Sequence, residues 1–141
     1  MTPSGTTEIV DHPLTEEEEL YKENILDHYK HPHNKRNLAG ATCSHREFNP
    51  LCGDQIQVYL QIKKKKVQDV SFEGSGCAIS QAAASMLTDD IKGKNIEEIK
   101  KMGPWDIFNL LGIRISPARS KCALLGLRAV QGALMMNGEL A

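Results

Sequence analysis

Apolar and polar residues alternate along residues 55–62, which is the pattern of a β-strand that buries one face. The apolar positions are Ile56, Val58, Leu60 and Ile62. After a lysine-rich turn the alternation resumes and ends at a Gly-Ser-Gly sequence, which predicts a hairpin of two strands. The segment 42–47, ahead of this hairpin, is a weaker strand candidate. A sheet with one apolar face needs a second layer of structure to cover it.

Helical spacing of apolar residues occupies the remainder of the chain. Thr15 and Glu18 form a capping-box pattern at the start of a helix that Pro32 ends. The alanine-rich segment 78–92 predicts a second helix, and two shorter helical segments follow it. Ser116 and the proline after it resemble the cap and first-turn proline of a long last helix. The grouping of strands and helices predicts an α+β fold, a small antiparallel sheet covered by helices.

Length and composition predict one domain and exclude several functions. The chain has 141 residues, and we assign 1–19 to a flexible lead-in and 20–141 to a single domain. A net charge of -1 and an aromatic content of 5% argue against nucleic-acid binding. No stretch approaches the roughly 18 apolar residues of a membrane span. No Lys or Arg precedes Lys22, so we expect neither a secretory signal nor a transit peptide, and a cytoplasmic location.

The four cysteines are spaced too widely for the common short cysteine motifs. Cys43, Cys52, Cys77 and Cys122 are separated by 8, 24 and 44 residues, so no CxxC pair exists. This spacing argues against a zinc ribbon and against a thioredoxin-type redox motif. In a reducing compartment such thiols favour metal or sulfur chemistry over disulfides. Any site they share must be assembled by the fold.

Three of the cysteines lie where predicted elements begin. Cys52 lies in a Pro/Gly turn before the alternating strand, Cys77 follows Gly-Ser-Gly at a helix start, and Cys122 lies near the start of the last helix. The free amides and dipole of a helix N-terminus favour the thiolate form, which is both a metal ligand and a nucleophile. Asp54 follows Cys52 by two residues, so in an extended chain both point to the same side. The candidate site is therefore Cys52, Asp54, Cys77 and Cys122.

Other polar and thiol groups have simpler interpretations. Free cysteines are often small buried hydrophobes, and we interpret Cys43, which has no glycine turn beside it, as a half-buried thiol. His28, His31 and His33 lie in the C-terminal region of a predicted helix, where side chains cap carbonyl groups, so we interpret them as structural. The lysine run at 63–66 is typical of a solvated turn.

The cysteine motifs, together with a stretch near the N-terminus, resemble those of a known family. The matching sequences are Ile25-Leu26-Asp27-His28-Tyr29-Lys30-His31-Pro32-His33-Asn34, Cys52-Gly53-Asp54, Gly74-Ser75-Gly76-Cys77-Ala78-Ile79-Ser80-Gln81-Ala82 and Lys121-Cys122. The chain resembles the U-type iron-sulfur cluster scaffold proteins, which include IscU, SufU and the N-terminal domain of NifU. The resemblance implies a three-stranded antiparallel sheet with helices packed on it. It also implies that Cys52, Asp54, Cys77 and Cys122 bind a nascent 2Fe-2S cluster or, without a cluster, zinc.

The resemblance further implies a scaffold rather than an enzyme. Its partners would be a cysteine desulfurase, which supplies persulfide sulfur, and the apo iron-sulfur proteins that receive the cluster. Cys122 and Cys52 are the candidate persulfide acceptors. Lys121, with Arg119 nearby, would favour the anionic form of the neighbouring Cys122. A homo-oligomer of this chain is a further candidate assembly.

The departures from the family motifs leave two functions open. Lys121 is similar to SufU, because IscU has histidine before the third cysteine. The 44 residues between Cys77 and Cys122 are too few for the insertion typical of SufU. Residues 115–119 do not reproduce the chaperone motif of IscU. Two functions are therefore expected as alternatives: a cluster scaffold, or a zinc-bound sulfurtransferase that carries no cluster. A third interpretation is an interaction domain whose thiols have no function.

Overall fold

A computed structural model describes residues 15–51 and 53–137 of the chain. The elements follow one another as α1 Glu16–Lys30, β1 Cys43–Asn49, β2 Asp54–Lys63, β3 Lys66–Ser75, α2 Ala78–Ile91, α3 Ile96–Lys100, α4 Pro104–Leu111 and α5 Pro117–Met136. The strands form a three-stranded sheet in the order β1-β2-β3. The α+β prediction and the weaker strand candidate, which is β1, are both confirmed.

Antiparallel pairing brings two chain segments to the same edge of the sheet. Asn49 at the end of β1 pairs with Asp54 at the start of β2. Gln55 on β2 then pairs with Ser75 at the end of β3. The β1–β2 turn and the junction between β3 and α2 therefore lie side by side. The opposite end of the hairpin is a two-residue turn, in which Lys64 and Lys65 have φ of 53° and 64°, as tight hairpin turns require.

Two helices cover the apolar face of the sheet. Ile56, Val58 and Leu60 on β2 are at most 1% exposed, as the alternation predicts. Helix α5 packs along β1 and β2, and α2 packs along β3 and α5. Burial of each such side chain stabilises the fold by about 1.5–3 kcal/mol, so this face fixes the sheet against the helices. The ends of α2 and α5 are thereby held at the sheet edge described above.

Helix α1 begins earlier than the domain boundary we placed at residue 20. Thr15 Oγ1 accepts the backbone N–H of Glu18 at 3.1 Å, and the Glu18 carboxylate accepts the backbone N–H of Thr15 at 3.2 Å. This capping box is as predicted, and residues 16–19 belong to α1 rather than to a flexible lead-in. The other residues of the lead-in, 1–14, lie outside the described residues. Among the helices of the described ranges, none has both the length and the apolar character needed to cross a membrane.

Candidate metal centre

The sheet edge brings together three of the four predicted ligand residues. A carboxylate oxygen of Asp54 and the sulfur atoms of Cys77 and Cys122 all lie within 4.8 Å of one another. They come from the start of β2, the N-cap of α2 and the second turn of α5. Cys52, the fourth predicted ligand, lies outside the described residues, and its flanking residues belong to the β1–β2 turn beside Asp54.

Asp54 is buried with one of its two oxygens lacking a partner. The residue is 3% exposed, and Oδ1 accepts the backbone N–H of Cys77 at 3.3 Å. Oδ2 has no hydrogen-bond partner among the described residues. A buried carboxylate oxygen without a partner is costly, and a cation beside it would remove much of that cost. The residues therefore fit a metal centre with two sulfur ligands and one oxygen ligand.

Gly76 permits the close approach of the β3–α2 junction to Asp54. Its φ is +153°, a conformation that residues with a side chain rarely adopt. A Cβ atom at this position would lie 2.6 Å from Asp54 Cγ and 2.8 Å from Ser80 Oγ. Because neither neighbour is the end of a long flexible side chain, a larger residue would displace the carboxylate. The glycine that the sequence places before Cys77 thus has a steric role.

Cys77 is the N-cap residue of α2 and is half-buried. Its side chain makes no cap hydrogen bond to the first turn. Its sulfur lies 3.9 Å from Ser80 Oγ, and the Ser80 hydroxyl donates to the Cys77 carbonyl at 3.0 Å. The positive end of the helix dipole faces this position, which favours a negatively charged ligand there.

Cys122 is 2% exposed and accepts a weak hydrogen bond from Asn49. Asn49 Nδ2 lies 3.8 Å from the Cys122 sulfur, and Asn49 Oδ1 accepts the backbone N–H of Leu51 at 3.1 Å. This side chain therefore links the turn that contains Cys52 to the thiol on α5. The sequence analysis missed Asn49, although an asparagine before a proline at a strand end is typical of residues that bond to turn backbone.

The other candidate residues lie outside this group. Lys121 precedes Cys122 on α5 and has an exposed side chain. Cys43 is half-buried against the core at the opposite end of β1, about 20 Å along the strand from Asn49. His31 is the exposed C-cap residue of α1, and its backbone N–H donates to the Asp27 carbonyl at 2.7 Å.

Comparison with known proteins places the chain in a family. Residues 20–138 match the family described as the NifU-like N terminal domain. The chain belongs to this family, that of the U-type iron-sulfur cluster scaffold proteins.

Relatives within the family have two different names. The chain is 39% identical over 129 residues to the zinc-dependent sulfurtransferase SufU of Bacillus subtilis. This alignment covers 79% of this chain and 87% of the relative. The chain is also 34% identical over 131 residues to the iron-sulfur cluster assembly scaffold protein IscU of Thermotoga maritima. This alignment covers 82% of this chain and 92% of the relative. Both levels of identity support homology over nearly the whole domain, and they leave the two functions of the sequence analysis open.

A solved structure supports the fold. The N-terminal part of a nitrogen-fixing NifU-like protein from Brucella abortus superposes with a TM-score of 0.71 at 21% identity. The match covers 88% of this chain and 98% of that chain. The arrangement of one three-stranded sheet and its covering helices is thus shared.

Proposed function

We propose that this chain is a scaffold on which a labile 2Fe-2S cluster is built and then passed to apo-proteins. The observation that carries the proposal is the convergence of Asp54, Cys77 and Cys122 within 4.8 Å, with a buried Asp54 oxygen that has no hydrogen-bond partner among the described residues. The cluster is the cargo of this site. Cys52 completes the ligand set in the proposal, because it lies two residues before Asp54 in the sequence.

The mixed ligand set suits temporary storage. Thiolates are soft ligands that hold iron and zinc tightly, whereas a carboxylate is a harder and more easily exchanged ligand. Permanent electron carriers typically hold their clusters with four cysteines. Asp54 would therefore be the corner of the site from which a cluster is released.

Sulfur would reach the site from a cysteine desulfurase. A thiolate of this chain, Cys122 or Cys52, attacks the outer sulfur of the desulfurase persulfide. A new S–S bond forms on the attacking cysteine, the S–S bond of the donor breaks, and the desulfurase thiolate leaves. This transfer is redox-neutral, and two electrons per sulfur from an external thiol or other reductant then convert the persulfide sulfur to cluster sulfide. Because Cys122 is 2% exposed, its reaction requires the structure around it to open locally when the partner binds.

A zinc-bound sulfurtransferase is the second candidate function. The identity of 39% to the zinc-dependent sulfurtransferase SufU favours it, and so does the lysine at position 121. In this function the same four residues hold zinc tetrahedrally until the partner displaces one of them. The chain then accepts persulfide sulfur and never carries a cluster.

Absorption spectroscopy combined with metal analysis separates the two functions. The chain is purified anaerobically from cytoplasmic extract, and its iron, sulfide and zinc contents are measured beside its visible spectrum. A scaffold shows the charge-transfer bands of a cluster with matching iron and sulfide after reconstitution with a desulfurase. A sulfurtransferase stays colourless with stoichiometric zinc under the same conditions, which would contradict the scaffold proposal.

The Asp54→Ala variant tests whether Asp54 is the ligand that allows a cluster to be released. We expect the variant to assemble a cluster and to transfer it to an apo-ferredoxin about ten-fold more slowly, because the exchangeable oxygen ligand is gone. Transfer is followed by the absorption of the ferredoxin cluster. A variant that transfers at the parent rate, or that cannot be loaded, would show that Asp54 does not control release. Replacement of the exposed carboxylate Glu23 on α1 by alanine is the control.

A further inference from the structure

A second group of metal-ligating side chains lies at the opposite end of α2. Ring nitrogens of His28 and His33 and a carboxylate oxygen of Asp89 all lie within 4.8 Å of one another. Asp89 follows Cys77 by twelve residues along α2, which corresponds to about 18 Å of helix. The group therefore shares no ligand with the thiol site and is too distant to contribute to it.

His28 is held in one orientation by Ser85. The residue is 8% exposed at the end of α1, and its Nδ1 lies 2.7 Å from Ser85 Oγ. The same hydroxyl oxygen accepts the backbone N–H of His33 at 2.7 Å. When His28 Nδ1 donates to Ser85, Nε2 keeps its lone pair. A histidine that binds a metal through one nitrogen typically donates from the other nitrogen to a fixed oxygen.

Asp89 and His33 face each other at the surface. His33 Nδ1 lies 2.5 Å from Asp89 Oδ2, and about half of each side chain is exposed, 49% and 46%. Asn34 Nδ2 donates to Asp89 Oδ1 at 2.9 Å, which orients the carboxylate and leaves Oδ2 facing the histidines. A metal that binds both residues must displace the proton between them. Because both side chains are exposed, they can move apart slightly when a metal ion takes the place of this proton.

The two rings are also packed against each other. The ring centroids of His28 and His33 are 4.4 Å apart, a separation at which two positively charged imidazoles would repel. Burial, and then the neighbouring His33, lowers the pKa of His28 below its ordinary value of 6.5. One cation held between the two rings would avoid this repulsion, because both rings would then bind it in their neutral form.

We propose that His28, His33 and Asp89 form a second metal site that binds a divalent first-row transition-metal ion. Two imidazoles and one carboxylate are the ligands that zinc and its neighbours in the series prefer, whereas magnesium and calcium prefer oxygen ligands alone. Three protein ligands leave a position for water. A bound ion would join the C-terminal end of α1 to α2. This site is independent of the function proposed for the thiols.

Zinc stoichiometry tests the second site. The full chain is stripped with a chelator, dialysed against micromolar free zinc and analysed for zinc per chain. We expect two zinc ions in the parent chain and one in His33→Ala and in Asp89→Ala. The matched control His31→Ala, an exposed histidine outside the group, keeps two. Helical circular dichroism checks that each variant is folded.

Cobalt absorption identifies which site is lost. In a chain with Cys77→Ser and Asp54→Ala, which disable the thiol site, we expect one bound cobalt with visible bands but no thiolate charge-transfer band. Adding His33→Ala to that chain should remove the cobalt. One zinc in a parent chain whose cobalt form shows the thiolate band, or two zinc ions in His33→Ala, would overturn the second site. Failure of the thiol site would instead appear as an absent charge-transfer band in the parent chain, so the two failures are distinguishable.

Discussion

The ligand groups at the two ends of α2 differ in burial and in hydrogen bonding. At the N-terminal end, Asp54 is buried and its Oδ2 has no partner among the described residues. At the C-terminal end, Asp89 is exposed and both of its oxygens are already hydrogen-bonded, to His33 and to Asn34. Among the described residues, the first end keeps a carboxylate oxygen that an ion could bind, whereas the carboxylate at the second end is already hydrogen-bonded. We therefore expect tight binding at the thiols and weaker binding at the histidines.

Of the substitutions considered, replacement of a thiol at the N-terminal end of α2 should have the largest effect on metal affinity. The Cys77→Ser change substitutes a hydroxyl, which is neither soft nor ionised at neutral pH, so we expect the cobalt affinity of the thiol site to fall at least about 100-fold. The measurement is a cobalt titration followed by the thiolate charge-transfer band. Cys43→Ser, at the other end of β1, is the control and should titrate like the parent. An unchanged Cys77→Ser titration would remove Cys77 from the ligand set.

Two glycine substitutions separate local crowding from backbone strain. Gly76→Ala places a Cβ 2.6 Å from Asp54 Cγ, and we expect zinc affinity to fall about ten- to 100-fold as the carboxylate moves. Gly93→Ala, just after α2, has φ of +88° and nothing within 4 Å of its Cβ. Strain alone should destabilise it by about 1 kcal/mol and leave zinc affinity unchanged. Equal zinc affinities in the two variants would show that Gly76 does not position Asp54.

The histidine end should make stability depend on pH. Burial lowers the pKa of His28 in the folded chain, so the unfolded chain binds more protons as pH falls below 6.5. The stabilisation is present above 6.5 and is lost as pH falls through the folded pKa. In chelator, we expect the free energy of unfolding of His28→Gln to fall less between pH 7 and pH 5 than that of the parent. Urea unfolding measures this, with His31→Gln as control, and parallel curves would contradict the account.

Lys121 should have the smallest effect. Its exposed charge is adjacent to Cys122, and exposed charges are weakened by solvent, so we expect Lys121→Ala to slow alkylation of Cys122 about two-fold at neutral pH. The rate is measured in metal-free chain by mass spectrometry of the peptide that contains Cys122. Lys101→Ala, an exposed lysine elsewhere, should react at the parent rate. Equal rates in all three chains would remove Lys121 from the sulfur chemistry.

The helices and strands could be predicted from the sequence because the patterns that indicate them are local. Alternation over residues 55–62 predicts β2, and the capping box at Thr15 and Glu18 predicts the start of α1. The convergence of Cys77 and Cys122 could be expected only from their positions at element starts and from resemblance, since 44 residues separate them. Their 4.8 Å proximity to Asp54 depends on how α2 and α5 pack on the sheet, which no local pattern encodes.

The site contacts that could not be predicted from local patterns join residues far apart in the sequence. Asn49 donates to Cys122 across 73 positions, and His28 bonds to Ser85 across 57. The helix-end interpretation of His28 and His33 rested on their place at the end of α1 and could not include Asp89 on a different helix. Side-chain pairing of this kind depends on tertiary packing, so it becomes visible only in the folded chain.

X-ray absorption at the zinc edge identifies the ligands of the thiol site. The sample is the His33→Ala chain loaded with one zinc, in which the histidine group cannot contribute. We expect three sulfur ligands at about 2.3 Å and one oxygen ligand at about 2.0 Å, from Cys52, Cys77, Cys122 and Asp54. Loss of the oxygen ligand in Asp54→Ala would assign it. A shell of nitrogen and oxygen ligands without sulfur would contradict the thiol site.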